Sequence, residues 1–185
     1  MQYQVRRNKP KLGKNNYILP GAQLIGSVTT GDNVSIWFNA VVRGDAAPVV
    51  IGENSNIQDN TVVHVEKEKS CEIGDNVTIG HNCIIHGCTI GDNCLIGMGA
   101  IILSDSVIPA ECLVAAGAVV GPKLKAEPRS LIAGNPAKVI KALEKSHLKL
   151  LKYANDEYLE RLAYYREELT PVHPNPDEIE RGTKS

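Results

Sequence analysis

The sequence of 185 residues has few aromatic side chains, no strong excess of charge and no long apolar segment. Aromatic residues make up only 4% of the chain, so its core is expected to consist of aliphatic side chains. No apolar run approaches the roughly 20 residues that a helix needs to span a bilayer, so no membrane span is expected. Basic and acidic residues nearly cancel to a net charge of -1, and no nucleic-acid partner is expected.

The cysteine pattern argues against a disulfide framework. The five cysteines are an odd number, none of them form a Cys-x-x-Cys motif, and the sequence shows no signal peptide. Such a pattern is typical of a reducing compartment, because disulfides persist in oxidising ones. We therefore predict a cytoplasmic protein with free cysteines.

A six-residue repeat runs through most of the chain, with an aliphatic residue followed by a small or polar one. Its aliphatic positions are Leu19, Ile25, Thr30, Ile36, Val42, Ile51, Ile57, Val63, Ile73, Ile79, Ile85, Ile90, Ile96, Ile102, Ile108, Val114, Val120, Ala126 and Ile132. A short fixed period is typical of a solenoid, in which each turn buries its apolar edge against its neighbours. The repeat therefore predicts an all-β solenoid.

Grouping three hexapeptides into each coil gives a prism with three faces. The irregular steps in the repeat run from Ile25 to Thr30, Val42 to Ile51, Val63 to Ile73 and Ile85 to Ile90. All four then fall between the second and third faces, as expected if the faces are strands and one exposed corner accepts insertions.

The fifth position of each repeat is small or β-branched, which suits a tight interior corner. These positions are Val34, Ala40, Ser55, Thr61, Val77, Cys83, Cys94, Ala100, Ser106, Cys112 and Ala118. Three of the five cysteines are in this set, and we predict that they are small buried filler residues.

Two histidines follow inward positions of the second face on successive coils. Val63 and Ile85 point inward, and because side chains alternate along a strand, His64 and His86 point outward. Stacked strands lie roughly 4.8 Å apart, so the two imidazoles can share a tetrahedral metal. A surface histidine ladder without metal fits this pair equally well.

A third histidine, His81, lies two residues after Ile79 on the first face, so within one prism it diverges from His64 and His86. A neighbouring subunit in a three-fold ring could bring it to the second face. Three neutral imidazoles with an open fourth position form a catalytic zinc arrangement rather than a closed structural one. The remaining histidines, His147 and His173, are interpreted as solvated surface residues.

Four polar residues near the histidines are further candidates for the site. Arg43 occupies the repeat position of His64 one coil earlier, and Asp45 lies on the corner beside it. An Arg–Asp pair across a subunit contact would hold a trimer in register. Gln58 and Asp59 follow the first face, where Gln58 could orient a metal-bound water. The alternatives are that Arg43 is a solvated surface charge and that Asp45 and Asp59 are ordinary turn residues at the corners of the repeat.

Several of these segments resemble the gamma-class carbonic anhydrases of the hexapeptide-repeat superfamily over about residues 10–140. The matching segments are Val42-Arg43-Gly44-Asp45, Asn56-Ile57-Gln58-Asp59-Asn60, His64, Ile79-Gly80-His81-Asn82, Ile85-His86-Gly87-Cys88 and Ala133-Gly134-Asn135-Pro136-Ala137-Lys138. The resemblance implies a left-handed parallel β-helix and a homotrimer with three metal sites at its interfaces.

By the same resemblance, His64 and His86 of one subunit and His81 of the next bind Zn2+, with Fe2+ or Co2+ as alternatives. Arg43, Asp45 and Asp59 take the interface positions, and Gln58 takes the water-orienting position. The implied reaction is hydration of CO2 to bicarbonate by a metal-bound hydroxide, because a bound metal lowers the pKa of water towards roughly 7.

The chain departs from the best-characterised members of this family where those carry acidic residues. It has Ala46 and Ala47 after the Arg-x-Asp motif and only a short loop, residues 66–70, after the first histidine. Glu66 and Glu68 could substitute, although a solvated loop is the simpler interpretation. Tyr158 could reach a neighbouring site, although packing explains it better. Slow or latent activity is therefore expected.

Two other functions stay open at this stage. The superfamily includes acyl-CoA-dependent acyltransferases, in which a histidine acts as a general base without metal. A non-catalytic metal-binding or assembly protein is the other alternative.

The sequence predicts three regions: the β-helix over residues 1–137, a helical segment over 138–170 and a polar tail over 171–185. Leu143, Leu150, Leu151, Tyr158 and Leu162 recur at helical spacing in the second region. Asn155, which is followed by two acidic residues, indicates a second helix start. The helical segment is expected to pack along the prism.

Overall fold

The computed structural model describes residues 1–171 as a parallel β-solenoid of about seven turns followed by one helix. The predicted polar tail lies outside the described residues except for Pro171, and His173 lies outside them as well. No helix among residues 1–171 is both long and apolar enough to cross a bilayer.

One sheet covers the first face of the prism. Its strands are β2 (Tyr17–Ile18), β4 (Ser35–Ile36), β6 (Asn56–Ile57), β9 (Thr78–Ile79), β12 (Leu95–Ile96), β15 (Leu113–Val114), β17 (Ser130–Gly134) and β18 (Ala137–Ala142). All neighbours in this sheet are parallel except β17 and β18, which are antiparallel.

A second sheet continues around the corner between the other two faces. Its strands are β1 (Gln2–Tyr3), β3 (Gln23–Thr30), β5 (Val41–Ile51), β7 (Val62–His64), β8 (Cys71–Ile73), β10 (Ile84–His86), β11 (Thr89–Ile90), β13 (Ile101–Ile102), β14 (Val107–Ile108) and β16 (Val119–Val120). The long strand β5 pairs with β7 on the second face and with β8 on the third. The predicted corner insertion in this coil is therefore extended strand rather than loop.

Aliphatic side chains stack from coil to coil inside the prism. On the first face Ile57 pairs with Ile79, and Ile96 pairs with Val114, and all four are completely buried. Each such burial stabilises the fold by roughly 1.5–3 kcal/mol. The small fifth-position residues, including Cys83, are all buried as predicted, and all five cysteines are free.

The register differs from prediction in the first complete coil. Leu24, not Ile25, is the fully buried residue, and it pairs with Val42. The five-residue step therefore lies between Leu19 and Leu24, ahead of the second face. Gly26 has a positive φ of 77° and lies where β3 shifts register against β5. The step from the second to the third face is therefore the regular six residues, from Leu24 to Thr30, rather than the predicted five.

The helical segment begins later than predicted. Residues 137–142 form β18, an edge strand on β17, and the helix α1 spans Lys145–Glu168 without interruption. Asn155 is therefore not a second helix start. It lies inside α1, buried, with its amide donating to the Asn54 carbonyl at 2.9 Å. His147 is half-buried, and its Nδ1 accepts the Glu144 backbone N–H, which makes it a capping residue.

Helix α1 packs on the first face through an aromatic cluster. The Trp37 ring meets the edges of Tyr158 and Tyr165, each with ring centroids 5.0 Å apart. The Tyr17 hydroxyl also donates to the Tyr165 carbonyl at 3.3 Å. This packing places one side of α1 next to the corner that carries His81.

Candidate metal centre

The structure separates the predicted site residues into two groups on different faces. The second-face half-site contains Arg43 and Asp45, which lie within β5, and His64 and His86, which end β7 and β10. The strand register aligns Arg43 with His64, and His64 with His86. The predicted histidine ladder between successive coils is therefore present.

The two imidazoles of the second-face half-site have nitrogens directed at each other. His64 Nδ1 lies 3.2 Å from His86 Nε2, and the ring centroids are 5.1 Å apart. Two nitrogens bound to one tetrahedral zinc, each at about 2.05 Å, would lie about 3.3 Å apart. The pair therefore fits two corners of a zinc tetrahedron.

The other nitrogen of each ring has its own hydrogen-bond partner. His64 Nε2 lies 3.1 Å from Asp45 Oδ1, and His86 Nδ1 lies 2.9 Å from the Ser104 hydroxyl. Partners of this kind orient the metal-binding histidines of known sites and fix which nitrogen carries the proton. In each ring, the nitrogen that faces the other ring is thus the one available to a metal.

Arg43 and Asp45 form an ion pair within one chain. Burial raises the pKa of the Asp45 carboxyl, but hydrogen bonds from His64 and Arg43 outweigh that effect and hold the pKa below its ordinary value. Asp45 is therefore a carboxylate that links the arginine to His64. This ion pair does not by itself require a second subunit.

The first-face half-site contains Gln58, Asp59 and His81. Asp59 Oδ2 lies 2.7 Å from His81 Nδ1, and the Tyr158 hydroxyl of α1 lies 3.4 Å from His81 Nε2. Burial raises the pKa of Tyr158, and although Arg161 opposes this, the hydroxyl stays protonated at neutral pH. Both nitrogens of His81 therefore have an oxygen partner, and Nε2, whose contact with Tyr158 is the longer of the two, is the nitrogen more open to a metal.

Gln58 is 5% exposed and lies beside the same corner. Its amide nitrogen donates to the Asn56 side chain at 3.2 Å, and the Asn56 amide donates to Thr78 at 3.0 Å. These bonds fix the orientation of the Gln58 amide.

The two half-sites do not meet within one subunit. Among residues 1–171 of a single chain, no three His, Cys, Asp or Glu side chains lie close enough together to hold a metal. This finding agrees with the expectation that the three histidines diverge around the prism.

Two residues that support the histidines, Ser104 directly and Trp37 through Tyr158, were missed from the sequence alone. Ser104 has no place in the repeat motif, and only the stacking of its coil on that of His86 brings its hydroxyl to the ring. Trp37 follows an inward isoleucine, and its single occurrence in the chain offered a signal that was not used.

Comparisons with known proteins bear on the family to which this chain belongs. The family model for the bacterial transferase hexapeptide repeat matches residues 70–103 and 87–122. A carbonic anhydrase of Geobacillus kaustophilus is 38% identical over 166 residues, which cover 90% of this chain and 91% of the relative. The mitochondrial gamma carbonic anhydrase 2 of Arabidopsis thaliana is 36% identical over 156 residues. The chain belongs to the gamma-class carbonic anhydrase family.

The match to the Arabidopsis relative covers 81% of this gamma-class chain but only 56% of the relative, so the chain spans little more than half of that protein. A crystal structure of a hexapeptide transferase family protein from Anaplasma phagocytophilum is also similar, with a TM-score of 0.85 and 35% identity. That similarity covers 89% of this chain and 97% of the other.

Proposed function

We propose that this gamma-class chain hydrates CO2 to bicarbonate at a metal site shared between subunits of a homotrimer. The observation that carries the proposal is the His64–His86 pair, whose facing nitrogens are 3.2 Å apart while Asp45 and Ser104 hold the opposite nitrogens. A surface ladder without metal does not need such partners. An acyl-transfer base needs only one histidine, so the paired rings favour metal binding.

A second copy of the chain is the source of the third ligand in this proposal. Val62, Ile84 and Ile101 form a row across the second face beside the histidine pair, and Val62 and Ile84 are 39% and 43% exposed in the single chain. An exposed apolar row is typical of an interaction surface. Packing the first face of a neighbour on it brings that subunit's His81 to the pair.

The donor set suits zinc, with Fe2+ or Co2+ as alternatives, because neutral imidazole binds all three. When bound, such a metal would supply hydroxide at neutral pH by lowering the pKa of water. The chain's own residues hold the ligands: Asp45 positions His64, Asp59 positions His81, and Arg43 neutralises Asp45. The fixed amide of Gln58 would accept or donate a hydrogen bond to orient the reacting water.

Activity is expected to be slow, because the corner beside the site offers few free ionisable side chains that could carry protons away. Ala46 and Ala47 have no ionisable group, and Glu66 is paired with Lys69 at 2.9 Å. Proton release to solvent commonly limits enzymes that regenerate hydroxide, and it requires a group near the site with a suitable pKa. Five buried free cysteines fit the proposed reducing, cytoplasmic location.

Complementation between two defective subunits tests the shared site. His81→Ala and His64→Ala homotrimers should each bind little metal and lack CO2 hydration, because every site lacks one ligand. Mixing the two chains before assembly creates some interfaces in which a His81→Ala subunit supplies intact His64 and His86 and a His64→Ala subunit supplies intact His81. Random mixing should restore roughly a quarter of the sites, as expected for a closed three-fold ring.

Metal content per subunit and CO2 hydration by stopped flow are the measurements, and His147→Gln is the control for losing a histidine outside the site. Failure of the mixed trimers to regain any metal would show that the histidines do not form a site between subunits. Wild-type trimers without metal or hydration activity would refute the proposed function itself.

A further inference from the structure

Positive charge is concentrated at the end of the prism where the chain begins. Five of the 20 basic residues lie within residues 6–14, and the first acidic residue in the sequence is Asp32. The five are Arg6, Arg7, Lys9, Lys11 and Lys14. Every ion pair among residues 1–171 involves Arg43 or later residues, so no carboxylate in that part of the chain neutralises the five.

Three of these basic side chains line a cavity of about 240 Å³ beside β3. The backbone around Lys11 is fixed there, because its N–H donates to the Val28 carbonyl at 2.8 Å and its carbonyl accepts from the Thr30 N–H at 3.0 Å. The polar lining residues are Arg7, Asn8, Lys9, Lys11, Ser27 and Thr29. This cavity, the basic pocket, therefore combines three cations with an amide and two hydroxyls, and none of its lining residues is acidic.

The turn that carries Arg7 to the basic pocket has an unfavourable backbone conformation for arginine. Val5 and Asn8 exchange both backbone hydrogen bonds at 2.9 Å, and the two residues between them, Arg6 and Arg7, have φ angles of 46° and 68°. A two-residue turn with positive φ at both positions favours Asn-Gly, and residues with a bulkier Cβ substituent are disfavoured there. Such conformations are concentrated at functional sites, so the arginines are better explained by binding than by folding.

The size and charge of the basic pocket indicate the class of ligand. Pockets for drug-sized molecules have volumes of about 300–1,000 Å³, so this smaller cavity suits one compact group. Arginine and lysine only donate hydrogen bonds, and the fork of arginine matches phosphate oxygens. A phosphate monoester carries about -1.5 to -2 charge at pH 7, so one phosphate leaves part of the charge of three cations uncompensated, whereas two linked phosphates balance it.

We propose that the basic pocket binds the diphosphate group of a small soluble molecule. Its β3 residues lie beside the part of β5 that pairs with β8 on the third face. The proposed subunit interface uses the first and second faces, so each subunit of a trimer would keep its own accessible pocket. Neither the metal nor any residue of the two half-sites takes part in this binding.

Calorimetric titration of the full chain with inorganic diphosphate tests the pocket. Wild-type protein should bind one diphosphate per subunit, more tightly than inorganic phosphate and less tightly as salt rises. The double variant Lys9→Gln/Lys11→Gln should raise the dissociation constant at least about tenfold, because two charged donors are lost. Lys123→Gln/Lys125→Gln removes two exposed lysines at the same spacing elsewhere in the chain and should leave the affinity unchanged.

Two results of this titration would overturn the proposal. Wild-type protein without saturable diphosphate binding is the first. Equal affinity in the two double variants is the second, because it would assign the binding to the metal site or to the overall charge of the protein.

A variant with a relaxed turn separates binding from folding. Arg6→Asn/Arg7→Gly installs the pair of residues that this turn favours, so its stability to urea should equal or exceed that of wild type. Its affinity for diphosphate should nevertheless fall at least several-fold, because the basic pocket loses a cation. Full affinity in this variant, or reduced stability, would contradict the binding role of the arginines.

Sedimentation with phosphatidylglycerol vesicles distinguishes a soluble diphosphate from the phosphate of a lipid headgroup. At physiological ionic strength we expect the wild-type protein to stay in the supernatant. Vesicle binding that Lys9→Gln/Lys11→Gln abolishes, in a protein that does not bind diphosphate, would show that the basic residues contact a membrane surface and would refute the proposed ligand.

Discussion

At the scale of single residues, asparagine is the residue that turns the corners of this prism. Five asparagines at one corner have positive φ angles between 54° and 57°, and they are Asn15, Asn33, Asn54, Asn76 and Asn93. Side-chain amides link the first four from coil to coil, at 2.9–3.2 Å. Asparagine tolerates the left-handed region better than other residues with a Cβ, because its short polar side chain bonds locally.

Replacing one corner asparagine tests this role. Asn93 has a φ of 57° and an exposed side chain, so Asn93→Ala changes the backbone preference and removes little packing. We expect the free energy of unfolding to fall by about 1–2 kcal/mol, the approximate cost of the left-handed conformation. Urea denaturation measures it, and Asn93→Gly, which accepts positive φ, should stay closer to wild type. Equal losses in both variants would contradict the conformational explanation.

At the scale of elements, α1 is joined to the prism by a few specific contacts as well as by aromatic packing. Asn155 is 4% exposed and donates to the carbonyl of Asn54, 101 residues earlier in the sequence. Leu151 and Leu162, on the same side of the helix, are also buried. The helix therefore covers the corner that carries Asn54 and Asn76, and it brings Tyr158 to His81.

Removing the Asn155 amide should loosen this attachment. Asn155→Ala leaves the Asn54 carbonyl without its donor, and an unsatisfied buried polar group costs about 1–3 kcal/mol. The free energy of unfolding should fall by that amount, as measured by chemical denaturation with Trp37 fluorescence reporting the helix contact. Lys149→Ala, at an exposed position of α1, is the control and should have little effect. An Asn155→Ala variant as stable as the control would show that packing alone holds α1.

At the scale of the whole molecule, the proposed site is incomplete in one subunit, and its completion depends on the second face. The apolar row beside the histidine pair is exposed in the single chain, whereas β8, β11 and β14 of the third face contain no histidine. Assembly and metal binding should therefore be lost together when the second face is altered.

An aspartate on each face tests this link. Ile84→Asp would place a carboxylate in the proposed interface without a partner, at a cost of several kcal/mol, and should yield folded single subunits that do not bind metal. Val107→Asp, on the third face at a position 55% exposed, should leave both properties unchanged. Size-exclusion chromatography with light scattering and metal analysis are the measurements. An Ile84→Asp protein that remains trimeric with full metal would contradict the proposed interface.

The sequence by itself determined which residues point inward and which outward over most of the prism. A strict period places Ile57, Ile79 and Ile96 in one buried column, and the same local rule places His64 and His86 one coil apart on one face. The period fails at Ile25. Leu24 points inward in its place, and the following Gly26 has a positive φ where β3 shifts register against β5.

The tertiary structure decided everything that depends on contact between distant segments. The pairing of His86 with Ser104, the docking of Asn155 on Asn54 and the antiparallel strand β18 on β17 all lie outside the repeat. The physical reason is that a periodic pattern specifies side-chain direction within a coil. Partners at positions outside the repeat, such as Ser104, and contacts between helix and prism depend on three-dimensional stacking that the spacing of the repeat does not encode.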